Sequence, residues 1–442
     1  ADMKKVSIGT AVALAAMAAA VTVSLTYLYA MERFNSKVAD VNERQAMYAK
    51  LNEIDQKVRQ DAVGTLDETA LKDGICEGYV AGLGDANAQY LSAERYRILQ
   101  QGSAEENIGV GVRTIQDEDG NMEVVEVLPG SSAEEAGIRN GDVIVAVDGS
   151  EVIRITYGEA LTRLSGAAGS EITLRVLRTG EQEVERDGKT VTEEVTEPLE
   201  FTLERRAYED SSIDWDVING NVGCITVRSF TEETAQEVEE AVSALQEQGV
   251  CGIVLDLRGN TSGSVAHMVE AFQQFLPAGN VAQYVNSSEE TVVEFTAGSQ
   301  RLALPLAVVA DDTTYGAAEV MAAAMRDGKA AVLVGTTTAG AASRQETLPL
   351  SDGSAVILTV GYYVDAQGNS LYGQGVAPDR EVELSILQKQ VLLRGMLDPR
   401  EDPQMQTAVT ALIEQGAQVQ QVPGTEEQQA PSQTSGSDSA EE

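Results

Sequence analysis

Short apolar runs alternate with amphipathic helical patterns through the second half of the chain. The apolar runs have the length of strands and are Cys224 to Val227, Gly252 to Leu257, Leu306 to Ala310 and Ala331 to Gly335. Between them, apolar residues recur at the spacing of one helix face, over Ala235 to Leu245, Val265 to Leu276 and Ala317 to Arg326. This order predicts βαβ units around a buried, mostly parallel sheet, in a domain of residues 208–384.

Residues 105–207, which precede that domain, have the pattern of short strands. Apolar and polar residues alternate over Ile172 to Val176, and the apolar run Val143 to Val147 ends in the turn pair Asp148-Gly149. A helix is expected from Tyr157 to Ser165. Residues 181–197 carry many charges and no clear apolar face, which favours an exposed hairpin or loop insertion.

Helical patterns flank these two regions. In residues 32–104 the apolar positions are spaced by three and four, and Gly64 and Gly74 are expected to break the helices. Residues 385–421 are expected to form a helical segment that includes a helix near Gln404 to Gln415. Residues 422–442 have no bulky apolar residue after Val422, which predicts a disordered acidic tail.

The amino-terminal region contains a long uncharged apolar stretch. Val6 to Met31 covers 26 residues, whereas a helix that spans a bilayer needs about 20. An uncleaved anchor over residues 6–31 is favoured over a signal peptide or a buried core helix, because the small residues suited to cleavage lie in the middle of the stretch. Flanking lysines and arginines do not favour a cytoplasmic amino terminus, but long domains cross membranes largely regardless of charge. We therefore expect residues 1–5 to be cytoplasmic and the main body to be extracytoplasmic, on a single-pass protein of a bacterial-type cell membrane.

Composition excludes several classes of function. Asp plus Glu number 70 and Lys plus Arg number 31, so the net charge is −39 at pH 7 and the chain should repel nucleic acid. One histidine, His267, and three cysteines are too few for a His/Cys metal site and make a Ser-His-Asp triad improbable. No metal and no cofactor are expected. Cys224 and Cys251 could form a disulfide only if their predicted strands are adjacent, and are otherwise buried thiols.

Residues 105–207 resemble a PDZ domain. The motifs that carry this resemblance are Ile108-Gly-Val-Gly-Val112, Leu128-Pro-Gly-Ser-Ser-Ala133, Ala136-Gly-Ile138 and Asn140-Gly-Asp-Val-Ile-Val-Ala-Val-Asp-Gly149. A glycine-containing loop leaves backbone N–H groups free to hold a terminal carboxylate, and the strand beside it can add a peptide as a further strand. The resemblance implies a groove for peptide carboxyl termini whose residues are Ile108, Gly109, Val110, Gly111 and Val112 on one side and Tyr157, Leu161 and Leu164 on the facing helix.

A PDZ domain between a helical region and an α/β domain is similar to the layout of the C-terminal processing peptidases, also called tail-specific proteases. The resemblance covers residues 45 to 415 and includes Gly82 to Tyr90, Val254-Leu-Asp-Leu-Arg-Gly-Asn260, Val332-Leu-Val-Gly335 and Gly373-Gln-Gly-Val-Ala-Pro-Asp379. It implies an α/β peptidase core with an inserted PDZ domain, helical amino- and carboxyl-terminal segments and, from the apolar stretch, one transmembrane helix.

That family cleaves peptides with a serine nucleophile and a lysine general base, and both side chains are missing from the matching positions. Gly316 stands three residues before Glu319, where the serine is expected, and Ala341 follows Gly340, where the lysine is expected. A serine hydroxyl needs a base within hydrogen-bond reach, so the loss of both removes the usual chemistry. Gln345, which matches a glutamine that supports the lysine, remains. The turn that resembles the oxyanion-stabilising loop also remains in part, from Gly259 to Gly263.

Three functional hypotheses follow. The favoured one is a pseudoprotease that binds protein carboxyl termini without cleaving them. The alternative is an active serine-type endopeptidase that uses nearby groups, with Thr313, Thr314 and Ser343 as hydroxyls and Lys329 and Arg344 as cations. The third is an assembly protein whose groove no longer binds peptides. The helical ends suggest a homodimer or a hetero-oligomer with an active relative.

Overall fold

The computed structural model describes residues 45–85, 87–102, 108–155, 157–186, 189–299 and 301–420. The chain divides into two compact units between Gly78 and Tyr79. Our predictions of a membrane anchor over residues 6–31 and of a disordered tail over residues 422–442 lie outside the described residues. Among the described residues, none of the helices combines the length and the apolar character needed to cross a bilayer.

The amino-terminal helical prediction is partly wrong. Helix α1 covers residues 45–61 and helix α2 covers Glu68–Ala81, so Gly64 separates two helices as expected, whereas Gly74 lies inside α2. An interior glycine weakens a helix by only about 1 kcal/mol, and the helix formers of α2 offset this cost at both Gly74 and Gly78. Strand β1 (Gln89–Leu91) and helix α3 (Ala93–Gly102) follow, so this region is not helical throughout.

The next elements form a small antiparallel sheet with its own core. They are β2 (Ile108–Gly109), β3 (Val112–Gln116), β4 (Met122–Val127), α4 (Ser132–Ala136), β5 (Val143–Val147), β6 (Ser150–Glu151), α5 (Val152–Ile155), α6 (Tyr157–Leu164), β7 (Glu171–Arg186), β8 (Lys189–Glu204) and β9 (Arg206–Ala207). The strand order of the sheet is β3-β4-β5-β7-β8, with β6 beside β5, and β2 pairs with β9 in a separate two-stranded sheet. Strands β7 and β8 pair along their whole length, which confirms the predicted hairpin. The predicted helix at Tyr157 is also confirmed.

A six-stranded sheet forms the centre of the larger domain. Its elements are β10 (Ile213–Ile218), β11 (Val222–Val227), β12 (Ser229–Phe230), α7 (Thr234–Glu247), β13 (Ile253–Asp256), β14 (Ser262–Gly263), α8 (Val265–Phe272), β17 (Leu306–Ala310), α9 (Ala317–Asp327), β18 (Val332–Gly335) and β21 (Arg380–Glu381). The order is β10-β11-β13-β17-β18-β21, and every pair except β10 with β11 is parallel. The predicted parallel sheet is therefore confirmed.

Alternate residues of these parallel strands enter two different cores. Ile253 and Leu255 pack with helices α7, α8 and α9, whereas Val254 packs on the opposite face with the last helix. Helices α10 (Ile386–Leu393) and α11 (Pro403–Glu414) complete the carboxyl-terminal segment, as predicted. Burial on both faces explains why the strands have continuous apolar sequences.

A second, antiparallel sheet was not anticipated by the sequence pattern. It consists of β1, β15 (Gly279–Asn286), β16 (Thr291–Ala297), β19 (Ser343–Pro349) and β20 (Ala355–Val364), in the order β1-β20-β15-β16 with β19 also paired to β20. Most of the residues of β16 and β19 are only partly buried or exposed, so their apolar signal is weak, whereas the apolar run of β20 was not assigned to a strand. This sheet joins the end of the amino-terminal region to the loop that follows Ala341.

Candidate functional site

The candidate site lies where three parallel strands end. The loop after β13 contains Gly259 to Gly263, the loop after β17 leads to Gly316, and the loop after β18 contains Gly340 and Ala341. The carboxyl ends of parallel strands meet at one edge of the sheet, where α/β folds place their sites. Backbone hydrogen bonds join the loops: Tyr315 N–H donates to the Asn260 carbonyl at 2.9 Å, and Ala339 N–H donates to the Thr314 carbonyl at 3.2 Å.

Gly316 occupies the capping position at the start of helix α9 in a conformation that favours glycine. Its φ is 56° and its ψ is −114°. A β-carbon built on this residue would have no heavy atom within 4 Å, so the surrounding space is open. The backbone is therefore strained for any other residue, but a small side chain would point into free volume.

The Glu319 carboxylate connects the segments that contain Gly316 and Ala341. It is fully buried and accepts hydrogen bonds from Gly316 N–H at 3.1 Å and Ala341 N–H at 2.7 Å through Oε2. Its other oxygen, Oε1, accepts from the Thr338 hydroxyl at 2.6 Å and from Gly340 N–H at 2.7 Å. In the sequence analysis, Glu319 only marked the position three residues after the expected serine. The structure shows that this side chain joins the beginning of α9 to the loop after β18.

Gln345 lies on β19 at a register shift between Arg344 and Gln345, and its side chain is exposed. Ser343, closer to Ala341, accepts a hydrogen bond from Asn87 Nδ2 at 3.2 Å. Within the described residues, the Gln345 side chain makes no hydrogen bond.

The loop from Gly259 to Gly263 retains a defined backbone shape. Gly263 has a φ of 108°, and an added β-carbon would lie 2.3 Å from the Phe230 backbone nitrogen, so only glycine fits. Asn260 is fully buried and donates from Nδ2 to the Val227 carbonyl at 3.0 Å. The N–H of Gly259 is occupied, because it donates to Thr313 Oγ1 at 2.8 Å.

Three of the substitute groups named by the alternative hypothesis are already bonded or lie away from Ala341. Thr314 is fully buried, and its hydroxyl donates to the Leu257 carbonyl at 3.1 Å and accepts from Asp311 N–H at 3.1 Å. Lys329 precedes β18, whereas Ala341 follows it, so about 10 Å of strand separates them. Arg344 pairs with Glu294 at 2.7 Å and remains a cation.

Thr313 has a carboxylate partner that the sequence comparison missed. Its hydroxyl donates to Asp311 Oδ1 at 2.5 Å, and Asp311 also accepts from Thr313 N–H at 2.8 Å. Burial raises the pKa of the Asp311 carboxyl, although the hydrogen bonds from Thr313 oppose the shift. This is a hydroxyl beside a potential base, held in a local turn.

A buried network of ion pairs surrounds Arg258, which lies two residues after the end of strand β13 and precedes the loop of the candidate site. Arg258 makes two hydrogen bonds to Asp256, at 2.8 and 2.6 Å, and one to Asp402 at 2.7 Å. Burial lowers the pKa of the Arg258 guanidinium, but the two carboxylates outweigh it and hold the pKa above its ordinary value. Since Asp402 begins helix α11, the network connects that helix to the strand that leads into the site.

The predicted peptide groove lies between β3 and α6. Ile108 and Gly109 form β2, Gly109 bridges to Ser165 just after α6, and Val110 has 1% of its surface exposed. In the described part of the chain, Gly111 N–H donates no hydrogen bond and remains available for a carboxylate.

The three helix residues of the predicted groove have different surroundings. Tyr157 is half-buried, Leu161 has 45% of its surface exposed and Leu164 has 5% exposed, within the core of the small sheet. A peptide would therefore meet Tyr157 and Leu161 first. The side chains of Ile108 and Val112 are half-buried at the start of the groove.

The cysteines and the histidine take no part in these sites. Cys76, Cys224 and Cys251 are free thiols, and Cys251 lies just before β13 rather than in a strand. Burial raises the pKa of the Cys224 thiol to about 12. His267 lies in the first turn of α8, where its ring faces the Phe230 carbonyl at 3.4 Å. No cluster of metal-binding side chains occurs among the residues that the structure describes.

Comparison with known proteins agrees with both halves of the fold. The model of peptidase family S41 matches residues 221–382, and a PDZ domain model matches residues 123–178. The carboxy-terminal processing protease CtpA of Bacillus subtilis is 28% identical over 340 residues, which cover 76% of this chain and 69% of that protein. The carboxyl-terminal-processing protease of Synechocystis sp. is 31% identical over 317 residues, which cover 70% of this chain and 71% of that protein.

A solved structure supports the same assignment. The photosystem II D1 C-terminal processing protease has a TM-score of 0.52 and 25% identity to this chain, and the match covers 80% of this chain and 91% of that one. The parallel sheet, the inserted PDZ domain and the loops at the strand ends are thus features of a known group. The chain belongs to the C-terminal processing peptidases of family S41.

Proposed function

We propose that this chain is a pseudoprotease that binds protein carboxyl termini through its PDZ domain and does not cleave them. The observation that carries the proposal is the pairing of Gly316 and Ala341 by the buried Glu319 carboxylate. These two positions are where the family's serine and lysine are expected, and neither residue has a side chain that can attack or accept a proton. Without both groups, only the residual acceleration of binding and oxyanion contacts is left, about 10³–10⁴ over water in well-studied serine proteases.

Peptide binding is supported by the open features of the groove. The free Gly111 N–H suits a terminal carboxylate, and strand β3 forms one end of its sheet. We place this module outside the cytoplasm on a single amino-terminal membrane anchor, on the strength of the uncharged stretch from Val6 to Met31. A homodimer, or a complex with an active relative, fits the exposed apolar side chains of α10, such as Ile386 and Leu387.

One experiment tests binding and cleavage together. An unstructured protein with an apolar carboxyl terminus is incubated with the chain; binding is measured by fluorescence anisotropy and cleavage by mass spectrometry. We expect saturable binding that an amidated peptide fails to compete, and no cleavage. Turnover of the substrate would contradict the pseudoprotease proposal.

The second candidate function is an active peptidase, and one contact favours it. Thr313 Oγ1 lies 2.5 Å from Asp311 Oδ1, which meets the distance needed between a nucleophile and its base. A carboxylate is a weak base for a hydroxyl, and Thr313 Oγ1 already accepts a hydrogen bond from Gly259 N–H. Cleavage that is lost in Thr313→Ala and retained in Ser343→Ala would establish this function.

Restoring both missing side chains tests whether the scaffold is otherwise intact. Gly316→Ser combined with Ala341→Lys is expected to cleave the substrate that the unmodified chain only binds, and neither single variant should do so. The open space at Gly316 admits a hydroxyl, although the backbone conformation costs about 1–3 kcal/mol for a residue other than glycine. Inactivity of a folded double variant would show that the loops had also lost their catalytic arrangement.

A further inference from the structure

We propose that the outer edge of strand β10, beside helix α7, binds an extended segment of a basic partner protein, with an arginine or lysine of that segment placed over the ring of Trp215. The residues of this surface belong neither to the peptide groove nor to the candidate site, so the inference does not depend on the proposed binding of carboxyl termini. It rests on an open sheet edge, an exposed tryptophan and the charge of the residues around them.

Strand β10 lies at one end of the six-stranded sheet. Within the described residues it pairs with β11 on one side and with no strand on the other. Arg228 N–H donates across the ladder to the Ser212 carbonyl at 2.8 Å, whereas Gly223 N–H donates away from β10, to the Gly252 carbonyl, at 3.0 Å. Pairs with and without hydrogen bonds alternate along an antiparallel ladder, so the N–H and the carbonyl of Trp215 both point to the open edge.

The residues on either side of Trp215 cover their own outward backbone groups. Ser211 Oγ donates to the Ile213 carbonyl at 2.6 Å, and Val217 N–H donates to Asp216 Oδ1 at 2.7 Å. Charged side chains along an exposed edge protect it from unspecific pairing. The open part of this edge is therefore centred on Trp215.

The side chain of Trp215 lies in an open cleft between β10 and α7. It is the single tryptophan of the chain, and 41% of its surface is exposed. The cleft has a volume of about 300 Å³ and is lined by Ser211, Ile213, Asp214, Trp215, Glu237 and Glu240. An indole ring attracts a cation that lies over its face, and nearby carboxylates add to the attraction.

The surroundings of the cleft are acidic. Helix α7 contains four glutamates and no lysine or arginine. Two of these glutamates line the cleft and bond to neutral groups: Glu237 accepts from Ser212 N–H at 3.0 Å, and Glu240 accepts from Gln236 Nε2 at 2.9 Å. Their negative charge is thus available to a cationic side chain.

The same charges decide between two kinds of added strand. A second copy of this chain, paired antiparallel about Trp215, would place its own Asp214 and Asp216 against those of the first, and like charges opposite each other are unfavourable. A segment with arginine or lysine at alternate positions has the opposite charge. Its residue opposite Trp215 would exchange two hydrogen bonds with it and direct its side chain to the same face, over the indole ring.

The test uses the full-length chain and a peptide with both ends blocked, so that no carboxyl terminus is offered to the PDZ groove. The probe is acetyl-Ser-Arg-Thr-Arg-Thr-Arg-Ser-amide. A second form has a methyl group on the backbone nitrogen of each arginine, which keeps the charge and removes the N–H groups that an added strand needs. Emission of Trp215 reports on this site alone, because the chain has one tryptophan, and anisotropy of a fluorescein-labelled probe gives the affinity.

Two charge variants separate this site from the general attraction of an acidic chain for cations. Glu240→Lys changes the cleft, whereas Glu346→Lys makes the same change of net charge at an exposed position of β19. A third variant, Trp215→Ala, removes the ring. Circular dichroism checks that each variant folds.

We expect the probe to shift the emission of Trp215 to shorter wavelength and to bind at least about ten times more tightly than its methylated form, which lacks the backbone hydrogen bonds. Glu240→Lys should weaken binding at least about fivefold, because it places a like charge beside the peptide cation. Trp215→Ala should weaken binding about threefold or more through loss of the cation–π contact. Glu346→Lys should change the affinity less than about twofold at 0.1 M salt, where distant surface charges are screened.

Equal affinity for the two peptides, or equal effects of Glu240→Lys and Glu346→Lys, would overturn the proposal, because binding would then be unspecific attraction to net charge. Absence of peptide binding would also overturn it. Self-association that Trp215→Ala abolishes, measured by analytical ultracentrifugation, would then assign the edge to a second copy of the chain. None of these results bears on the binding of carboxyl termini, since the blocked peptides have none.

Discussion

At the scale of single residues, one buried carboxylate holds the candidate site in shape. Glu319 accepts three hydrogen bonds from the loop after β18, from the Thr338 hydroxyl and from the N–H groups of Gly340 and Ala341, and a fourth from Gly316 N–H. A buried carboxylate is stable only when its oxygens are paired, and here the partners are mostly backbone N–H groups. Glu319 therefore maintains the backbone shape around Gly316 and Ala341.

Replacement of this carboxylate should destabilise the fold. In Glu319→Gln one oxygen becomes an amide group that faces N–H donors, so we expect the free energy of unfolding to fall by about 2–4 kcal/mol. Urea unfolding measures the change. Glu239→Gln is the matched control because Glu239 is exposed on α7, and it should have little effect. Equal stability of the two variants would contradict the structural role of Glu319.

At the scale of secondary-structure elements, the start of helix α11 depends on Asp402, the residue directly before it. Asp402 accepts hydrogen bonds from Gln404 N–H at 2.9 Å and Met405 N–H at 3.2 Å, and it pairs with Arg258. The apolar face of α11 then packs on the parallel sheet through Met405, Val409 and Leu412. One buried carboxylate thus both starts the helix and attaches it to the strand that leads into the site.

Asp402→Ala should therefore lower the free energy of unfolding by more than the loss of a helix cap alone would. It removes the cap and leaves Arg258 with one carboxylate, and breaking a buried ion pair typically lowers stability by about 3–5 kcal/mol. Asp398→Ala provides the control, because Asp398 pairs with Arg400 at the surface and should change the unfolding transition little. A loss no larger than that of the control would show that the network does not hold α11.

At the scale of the whole molecule, the net charge of −39 opposes compaction. Surface carboxylates repel one another over a Debye length of about 10 Å at 0.1 M salt, and added salt screens this repulsion. The same charge argues against nucleic acid and anionic lipid as partners of the folded body.

Stability should therefore rise with ionic strength. We expect the thermal unfolding midpoint to increase by several degrees between 10 mM and 200 mM NaCl and to change less above that range, because most of the screening is then complete. Scanning calorimetry at fixed pH measures the midpoint, with sucrose as an uncharged comparison. A midpoint that falls over the low-salt range would mean that the surface ion pairs outweigh the general repulsion.

The sequence by itself determined the order of the apolar parallel strands and the helices between them, the PDZ motifs and the identity of Gly316 and Ala341 as residues without reactive side chains. These features are local: a buried strand needs an apolar run, and a missing hydroxyl is missing in any conformation. Strands β16 and β19 escaped prediction because half-exposed strands lack such a run. The prediction that Gly74 breaks a helix also failed, because the helix-forming residues around it outweigh the low helix propensity of glycine.

Only the tertiary structure decided which groups meet. The partners of Glu319 come from loops after different strands, Asp402 reaches Arg258 from the end of the chain, and Tyr157 closes on Thr114 from the opposite wall of the groove. Each contact depends on the pairing of segments that are distant in sequence, and residue spacing carries no record of that pairing. For this protein, the sequence therefore specifies which side chains stand at the positions that match the family, and the fold specifies which polar groups hold the site and the groove in shape.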